Sequence, residues 1–412
     1  MTTRAWPVPS FRNLWFAQSV SLIGTQITLL AFPLAALLLL DASAFEVSLL
    51  ATLEFAPVLL LGLPAGAWIE HMPRRPVMVI SDLARAAALL VVPVAAGLDF
   101  LSMPLLYAAA FVIGLGTLFF DVAQMSALPE LVDEEQLVDA NSKLELSRSV
   151  AQVGGPGAGG LIVQLFSVPM AILVDAFTYL ASALFLLGVK PKRPPQPPEE
   201  PPALLRDILA GMRYVFRHPV QRPLLICSAI ADLAFAAVLA LQVVFAVDEL
   251  GLSAGMAGLV IAIGNGGGVL GAVLAGPLAG RIGTGPAFLV SIVLFAAGAV
   301  VLPVSPGPVT FAAGLFLVFT GAVIFNVLQM TLTQVVTPPA LLGRTNSIFR
   351  FVSWGMVPVG AAVGGLLVGS YGLRGVFWIA AVIVVLSLVP PLFSPVRGLR
   401  DLEADEPEQV TA

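Results

Sequence analysis

The sequence predicts an all-α membrane protein with twelve transmembrane helices in two pseudo-symmetric six-helix halves. Three observations lead to this fold class: a series of long apolar runs, a one-sided distribution of basic residues, and an internal repeat. The composition agrees, because 58% of the residues are hydrophobic and only 11% are charged, against about 25% charged in soluble domains. A chain this apolar needs lipid around it.

The apolar runs have about the 20 residues that an α-helix needs to cross a bilayer. They cover residues 13–39, 46–69, 76–97, 103–125, 145–166, 168–189, 222–247, 254–280, 284–303, 308–330, 346–369 and 373–393. We number the corresponding helices 1 to 12 in chain order. Successive helices must cross in opposite directions, so the loops between them alternate between the two sides of the membrane.

Basic residues fall almost entirely on one side of this zigzag. That side contains Arg4, Arg12, Arg74, Arg75, Lys190, Lys192, Arg193, Arg206, Arg213, Arg217, Arg222, Arg281, Arg344, Arg397 and Arg400. The opposite side carries Asp41, Asp99, Asp248 and Glu249 but only one basic residue, Arg374. Because Lys and Arg accumulate in cytoplasmic loops, we expect a multi-pass protein of the cell (inner) membrane. Both termini and the central linker are expected in the cytoplasm.

An internal repeat relates the two halves. Residues 119–163 align without a gap with residues 324–368, at an offset of 205 residues. The matched positions include Phe120/Phe325, Gln124/Gln329, Met125/Met330, Asn141/Asn346, Gly155/Gly360, Gly159/Gly364 and Gly160/Gly365. Helices 4 and 5 therefore correspond to helices 10 and 11, and an even number of helices per half makes the two repeats parallel.

The predicted domain boundaries follow from the repeat. An N-terminal half covers 1–189, a cytoplasmic linker 190–221, a C-terminal half 222–395 and an acidic cytoplasmic tail 396–412. The linker opens with KPKRPPQPPEEPP, a proline-rich segment that we expect to be extended. Residues 203–218 have helical spacing and are expected to lie along the membrane surface.

The end of helix 2 and the loop that follows it carry a recognisable motif, GLPAGAWIEHMPRRPV. It resembles the G-x-x-x-D-R-x-G-R-R signature of the major facilitator superfamily. Gly66, Arg74 and Arg75 fit this signature. Glu70 replaces the usual aspartate, and His71 and Pro73 replace the usual arginine and glycine.

Helix 5 carries a second motif, Gly155-Pro156-Gly157-Ala158-Gly159-Gly160. It resembles the G-P-x-x-G-G signature of the drug–proton antiporters in that superfamily. Nearly the whole chain is similar to the branch that holds macrolide exporters and the enterobactin exporter, through segments such as NLWFAQSVSLIGTQ, FAPVLLLGLPAG and SDLARA. The motif itself predicts a break or kink at Pro156. It would serve as a gating hinge formed by Gly155, Pro156, Gly159 and Gly160 or, alternatively, only as a packing groove.

The resemblance implies a fold in which helices 1, 4, 7 and 10 line a central cavity and helices 2, 5, 8 and 11 flank it, with the others peripheral. It implies a secondary active transporter, not an enzyme, that exports hydrophobic or cationic drugs or secondary metabolites by proton-coupled alternating access. Two alternatives stay open. One is a dedicated exporter of a single metabolite such as a siderophore, and the other is a non-transporting membrane sensor or assembly factor.

The expected partners are a small-molecule substrate, protons and membrane lipid, and the resemblance is compatible with a monomer. No basic patch indicates a nucleic acid. No cofactor is expected, because GNGGGVLG in helix 8 lacks the GK[ST] ending of a phosphate-binding loop. No metal site is expected either, since the two histidines, His71 and His218, both fall in cytoplasmic segments. The single cysteine, Cys227, provides no disulfide framework.

Charged residues near the cytoplasmic end predict a gate that closes this end when the protein opens outward. Asp82 and Arg85 share a face of helix 3, and Asp121 and Arg148 have similar depths in helices 4 and 5. Unpaired charge is costly at that depth, so a paired network is favoured. The predicted gate comprises Gly66, Glu70, Arg74, Arg75, Asp82, Arg85, Asp121 and Arg148.

Two further features qualify this gate. Arg74 and Arg75 fit equally well as anchors that hold their loop at the lipid headgroups. The second half lacks the equivalent charges, because Asn326 and Ser353 stand at the positions that correspond to Asp121 and Arg148. The gate charges are therefore expected mainly in the first half.

Three acids within apolar runs predict coupling to protons or substrate: Asp232 in helix 7, Glu54 in helix 2 and Asp175 in helix 6. Apolar surroundings without a basic neighbour favour a protonated carboxyl until water or a cation arrives, which is the property of a proton carrier. Asp232 leads, because it lies near the midplane of a cavity-lining helix, and Glu54 follows. Asp175 shares a face of helix 6 with Thr178, Tyr179 and Ser182, a pattern that favours a structural polar contact.

Polar stripes on helices 1 and 7 are expected to line the cavity. The helix 1 stripe is Gln18, Ser21, Thr25 and Thr28, and the helix 7 stripe is Ser228, Phe235 and Gln242 together with Asp232. A mostly apolar cavity with a few polar groups suits bulky amphipathic molecules better than sugars or phosphates.

Overall fold

The computed structural model describes residues 5–190 and 204–399, and every regular element in these ranges is a helix. Helices 1 to 6 are Pro9–Leu40, Ala44–Glu70, Arg74–Gly97, Met103–Leu131, Leu137–Leu165 and Val168–Leu187. Helices 7 to 10 are Gln221–Val244, Ala254–Ile282, Thr284–Val301 and Pro308–Val336, and a longer helix covers Pro339–Ser387. A helix over Leu204–Arg217, here called the linker helix, precedes helix 7.

Helices 11 and 12 are the two arms of Pro339–Ser387. At Gly372 the backbone has φ 67° and ψ 171°, a conformation that glycine adopts and other residues rarely do, so the chain turns there. Ten helices in the described residues are long and apolar enough to cross a membrane, with this pair counted as one. Helix 5 is outside that set because the glycines, the proline and the glutamines in its second part lower its mean hydropathy. Adding helix 5 and the second arm gives the twelve helices that the sequence predicts.

Helices 5 and 11 begin earlier than their apolar runs. The sequence predicts starts at 145 and 346, whereas the helices begin at Leu137 and Pro339. The added turns are polar and project from the side of the molecule that carries the linker helix, here called the linker side. Asn141 Nδ2 donates to the Leu137 carbonyl at 2.9 Å there. Arg148 consequently lies three turns into helix 5 rather than at its start.

Each half packs in the same pattern. In the first half, helix 1 packs on helices 5 and 6, helix 2 on helix 4, and helix 3 on helices 4 and 6. In the second half, helix 8 packs on helix 10, helix 9 on helix 10, and helix 7 on the arms of Pro339–Ser387. The two halves meet where helix 5 packs on helix 8 and helix 2 on helix 11.

The linker helix is docked on the second half. The Tyr214 hydroxyl donates to the Val336 carbonyl at 2.9 Å, and Gln221 Nε2, at the start of helix 7, donates to Thr337 Oγ1 at 2.6 Å. Its exposed face carries Met212, Arg213, Phe216 and Arg217. This helix therefore packs with helices 10 and 11, and its position along the membrane surface stays a prediction.

Arg374, the basic residue on the side opposite the linker, binds acceptors in two connections between helices. Its guanidinium donates to Glu249 Oε2 at 3.0 Å, to the Pro303 carbonyl at 2.7 Å and to the Ser305 carbonyl at 3.3 Å. Its Cζ also lies 5.4 Å from the ring centroid of Phe245. This one side chain joins the connections between helices 7 and 8, 9 and 10, and 11 and 12.

Some predicted features fall outside the described residues. These are the proline-rich segment, the acidic tail, and the basic residues Arg4, Lys192, Arg193 and Arg400. The Glu70 side chain also falls outside the described part, although its backbone ends helix 2.

Candidate functional site

A cavity lies between the two halves. It has an empty volume of about 1150 Å³, part of it open to solvent, and receives side chains from helices 1, 2 and 5 of the first half and helices 7, 8, 10 and 11 of the second. Most of its lining is apolar, as with Phe32, Phe55 and Phe319. The polar groups in the lining are Gln26, Glu54, Gln152, Gln242 and Asn265.

Helix 1 presents a different face to this cavity than the predicted one. Gln26 lines the cavity, but Gln18, Ser21, Thr25 and Thr28 are not in its lining. They face the interior of the first half, where Gln18 Oε1 accepts from Gln124 Nε2 at 2.9 Å and the Thr25 and Tyr179 hydroxyls lie 2.8 Å apart. The reason is that helix 1 packs against helices 5 and 6, so the stripe meets polar groups of its own half.

Helix 7 contributes Gln242 to the cavity, as the sequence predicts. Phe235 lies behind the lining, with its ring centroid 5.5 Å from that of Phe319. Ser228 and Asp232 are also outside the lining. Ser228 is buried, while Asp232 interacts with Ser353 of helix 11 and its Oδ2 has no hydrogen-bond partner within the described residues. Asp232 therefore lies at a contact between helices 7 and 11, and its predicted proton role stays a prediction.

Glu54 is the acid that lies in the cavity wall. Helix 2 is held there by close contact with helix 4, because the Glu54 carbonyl touches Gly114, where a Cβ would overlap it. Asp175 of helix 6 is the charged neighbour with which the Glu54 carboxyl interacts. Thus two of the three predicted coupling acids interact electrostatically within the first half.

A buried charged cluster, formed by Asp82, Arg85, Asp175 and Tyr179, lies beside Glu54. Arg85 is ion-paired with Asp82, and its Cζ lies 4.2 Å from the ring centroid of Tyr179 and 4.6 Å from that of Phe120. Such cation–π contacts contribute about 0.5–2 kcal/mol each. Asp82 and Asp175 are completely buried. The sequence placed Asp82 and Arg85 in a gate, whereas the structure places them inside the first half, between helices 3, 4 and 6.

Asp175 has an incomplete set of partners. Its Oδ1 accepts from Thr178 Oγ1 at 2.8 Å, whereas its Oδ2 has no hydrogen-bond partner within the described residues. Thr28, Arg85 and Asp82 also face this carboxyl. The polar contact predicted on helix 6 is present in this form, but it also reaches the cavity acid Glu54. The reason is that helix 6 packs on both helix 1 and helix 3.

The loop between helices 2 and 3 makes ion pairs and backbone contacts on the linker side. Arg74 Nε lies 3.4 Å from Glu130 Oε1 at the end of helix 4. Arg75 donates to the carbonyls of Leu186 and Leu187 at 3.1 and 2.5 Å. A Cβ added to Gly66 would meet nothing within 4 Å, so this glycine makes no close helix contact.

Asp121 is the predicted gate residue that reaches the other half. It interacts electrostatically with Arg85, Arg148 and Arg350. Arg350 belongs to helix 11, where its Nη1 lies 3.4 Å from Met125 Sδ of helix 4 and its Cζ 5.8 Å from the ring centroid of Trp354. Sequence reasoning missed Arg350. A signal was present, because the repeat offset pairs it with Glu145, a reversal of charge.

The helix 5 motif forms a contact between the halves. A Cβ at Gly160 would lie 2.7 Å from the Ala254 carbonyl oxygen and 3.0 Å from Gly258 Cα of helix 8. Gly155 and Gly159 pack on Gln26 and Ile27 of helix 1, and Pro156 lines the cavity. Helix 5 is continuous from Leu137 to Leu165 with Pro156 inside it, so the motif packs helices closely without ending the helix, and a kink or hinge at Pro156 stays a prediction.

The contacts between halves concentrate on the side opposite the linker. Gly160 and Gly258 touch near the ends of helices 5 and 8 on that side, and Gly365 of helix 11 touches Ser48 of helix 2 there. One polar contact, from Asn265 Nδ2 to the Gln152 carbonyl at 2.6 Å, closes the cavity wall between helices 5 and 8. These contacts hold the two halves together on the side opposite the linker.

Similarity to known proteins agrees with this architecture. The model of the Major Facilitator Superfamily matches residues 14–359. The multidrug efflux pump Tap of Mycolicibacterium fortuitum is 33% identical over 227 residues, 52% of this chain and 54% of that protein, so the match spans about half of its length. The enterobactin exporter EntS of Citrobacter koseri is 27% identical over 379 residues, 88% of this chain and 85% of that protein.

Solved structures share the fold at low sequence identity. The nucleoside transporter NupG superposes with a TM-score of 0.76 at 13% identity, over 93% of this chain and 98% of that one. A bacterial homologue of the iron transporter ferroportin gives a TM-score of 0.73 in its inward-facing state and 0.62 in its outward-facing state, at 18% and 19% identity. Each covers 93% of this chain and 98% of the other.

The twelve-helix fold, the cavity between two repeated halves and the family match over residues 14–359 lead to one conclusion: this chain is a transporter of the Major Facilitator Superfamily.

Proposed function

We propose that this transporter exports hydrophobic or cationic small molecules in exchange for protons, by alternating access, with the linker side in the cytoplasm. The single observation that carries the proposal is the cavity between the halves, which is mostly apolar and has one acid, Glu54, in its wall. An apolar cavity binds apolar groups without charge selectivity. One carboxylate adds attraction for a cation and, when it takes a proton instead, releases that cation.

The position of Glu54 makes it the leading coupling acid, ahead of Asp232. Glu54 contacts the space where a substrate would bind, whereas Asp232 is outside the cavity lining and interacts with Ser353 of helix 11. Proton and cationic substrate would compete for the same carboxylate, which gives exchange rather than co-transport. Asp232 is the second candidate for proton coupling, and it also contributes to the contact between helices 7 and 11.

A transport assay tests this assignment. Everted membrane vesicles are energised, and uptake of ethidium or tetraphenylphosphonium is followed with and without an uncoupler. We expect uncoupler-sensitive uptake in the wild type and its loss in Glu54→Gln, with a partial loss in Asp232→Asn. Glu135→Gln, on an exposed residue between helices 4 and 5, is the matched control and should transport normally. Uphill transport by Glu54→Gln together with its loss in Asp232→Asn would assign the role to Asp232.

Export of one dedicated metabolite is a second candidate. It is favoured by the enterobactin exporter EntS, which aligns with 88% of this chain. A panel of cationic dyes and of catechol-type siderophores distinguishes the two, since a dedicated exporter moves one of them and is not inhibited by the rest. The third alternative, a non-transporting sensor or assembly factor, has less support because the family and the named relatives are transporters.

A further inference from the structure

We propose that Asn265 of helix 8 is a specificity-determining residue of the cavity, and that it makes the transporter prefer cations that also carry a hydrogen-bond acceptor, such as a carbonyl or an ether oxygen. This role of Asn265 rests on the proposed function, because it adds a second recognition group to the carboxylate of Glu54. The two residues line the same cavity from opposite halves of the molecule. A substrate that reaches both would place its charge at one and its acceptor at the other.

Pro156 leaves one backbone carbonyl of helix 5 without its usual helical donor. In an α-helix the carbonyl of one residue accepts from the N–H four residues later, so the Gln152 carbonyl would pair with residue 156. Proline has no N–H, and Pro156 lies inside the continuous helix Leu137–Leu165. Gln152 and Pro156 both line the cavity. The motif thus creates, in the part of helix 5 that lines the cavity, an acceptor that needs a donor from elsewhere.

Asn265 supplies that donor from the other half. Its Nδ2 donates to the Gln152 carbonyl at 2.6 Å. A side-chain amide has two N–H groups on its nitrogen and a separate acceptor oxygen, so this bond fixes which end of the amide lies at helix 5. The Asn265 Oδ1 is buried and has no hydrogen-bond partner within the described residues. The polar atom of Asn265 that is left for a substrate is therefore Nδ2, with its second N–H.

Helix 11, the repeat equivalent of helix 5, lacks this arrangement. The offset of 205 residues pairs Pro156 with Ala361 and Gln152 with Val357. Alanine has the N–H that proline lacks, so the Val357 carbonyl keeps a donor within its own helix. Val357 and Ala361 also line the cavity, where their side chains are apolar. The freed carbonyl and the side-chain donor that it holds therefore belong to the contact between helices 5 and 8.

A side-chain amide that is held in one orientation distinguishes substrates more sharply than one that rotates. A rotating amide offers either its oxygen or its N–H groups and so binds donors and acceptors alike. Asn265 is held by the Gln152 carbonyl, so a substrate acceptor gains a hydrogen bond there and a substrate donor does not. Gln242 of helix 7, also in the lining, has an Oε1 that is likewise buried without a partner in the described part of the chain. The second half therefore presents N–H donors to the cavity.

Two cations test the preference: a cationic rhodamine ester, whose carbonyl and ring oxygens are acceptors, and tetraphenylphosphonium, which has no acceptor. Uncoupler-sensitive uptake into everted vesicles gives KM and the maximal rate for each. In Asn265→Leu we expect KM for the rhodamine ester to rise about fivefold, as for the loss of one hydrogen bond, with KM for tetraphenylphosphonium unchanged. Asn326→Leu, on an exposed residue of helix 10 outside the cavity lining, is the matched control and should leave both KM values unchanged.

Pro156→Ala tests whether the freed carbonyl holds the amide. Alanine gives the Gln152 carbonyl a donor from its own helix, so Asn265 is held less firmly and KM for the rhodamine ester should rise by less than in Asn265→Leu. The double variant should lose no more than Asn265→Leu alone, because both changes act on the same hydrogen bond. Additive losses in the double variant, or equal losses for the two cations in Asn265→Leu, would overturn the inference.

Binding to the purified protein separates this specificity from the proposed function. If the wild type shows no uncoupler-sensitive uptake, the proposed function fails, but fluorescence polarisation of the rhodamine ester and its displacement by tetraphenylphosphonium still give the two affinities. The same affinity ratio in the wild type and in Asn265→Leu contradicts the role of Asn265 even where transport is normal. If Asn265→Leu does not fold, as judged by gel filtration, Asn265→Asp takes its place, because it keeps the size, offers only acceptors and should also lose the preference for the ester.

Discussion

At the scale of single residues, the buried pair of Asp82 and Arg85 shows how a membrane interior holds charge. The guanidinium meets a carboxylate on one side and the faces of two aromatic rings on the others. Arginine fits such a site because its planar group both stacks and donates in fixed directions, whereas lysine is a compact point charge. The side chain is thus selected for shape as well as for charge.

Arg85→Lys should therefore lower stability although the charge is kept. Loss of stacking on Phe120 and Tyr179 and of the directed contact to Asp82 should cost about 1–3 kcal/mol. The measurement is the melting temperature in detergent, followed by intrinsic fluorescence. Arg213→Lys, on the exposed face of the linker helix, is the control and should melt as the wild type does. Equal melting temperatures for the two variants would show that shape does not matter at position 85.

His218 makes the junction of the linker helix and helix 7 sensitive to acid. Its Nδ1 accepts from the backbone amides of Val220 and Gln221 at 3.2 and 3.3 Å, and burial lowers the pKa of the imidazole. With the folded pKa below the unfolded one, stability from the neutral ring is present above about pH 6.5 and is lost as the pH falls. Hydrogen exchange over residues 214–222, corrected for intrinsic rates, should increase between pH 7.5 and 5.5. His218→Gln should show no such increase.

At the scale of helices, the contact of helix 5 with helix 8 fixes which side is closed. Gly160 leaves room for the Ala254 carbonyl and for Gly258, where a Cβ would approach to 2.7 and 3.0 Å. Small residues let membrane helices approach in this way. The motif that suggested a hinge in the sequence therefore acts at a helix contact between the two halves.

Gly160→Val should separate helices 5 and 8 and open the side opposite the linker. Gly154→Val is a matched control on the same helix, because a Cβ there meets nothing within 4 Å. Labelling of a cysteine at Gln164, which touches Gly255 of helix 8, should be at least several-fold faster in Gly160→Val than in the control. Unchanged labelling would mean that this contact does not seal the cavity.

At the scale of the whole molecule, the distribution of basic residues predicts the orientation. A reporter fused after Arg206 should be active in the cytoplasm and one fused after Asp99 on the other side. The two fusions together check the orientation of the linker side and the direction of the proposed transport. The reverse pattern would make the closed side of this structure the cytoplasmic one.

The sequence predicts the fold well and the site only in part, for physical reasons. The number of helices follows from the lengths of the apolar runs, and their direction follows from the distribution of basic residues. Both patterns can be read directly from the sequence. The face that a helix turns to the cavity depends on the helices packed around it. The sequence therefore predicted Thr25 rather than Gln26 in the cavity lining, and it predicted contacts of Asp175 only with residues of helix 6. Helices 5 and 11 extend past their apolar runs because polar turns need no lipid. Arg350 acts through contacts between helices 4 and 11, and the only indication of it in the sequence is that the repeat offset pairs it with an acid, Glu145.

The contacts of Arg374 determine which loops of this protein can change in length. Its guanidinium binds Glu249 and the carbonyls of Pro303 and Ser305 at once, so a residue inserted between helices 9 and 10 would pull two acceptors away from a fixed donor. The 205-residue offset, continued six residues past the aligned repeat, pairs Arg374 with Pro169 of the first half, and proline offers no such side-chain donor. We expect inserted residues to be tolerated between helices 3 and 4 and rejected between helices 9 and 10, so natural variation in loop length should collect in one half.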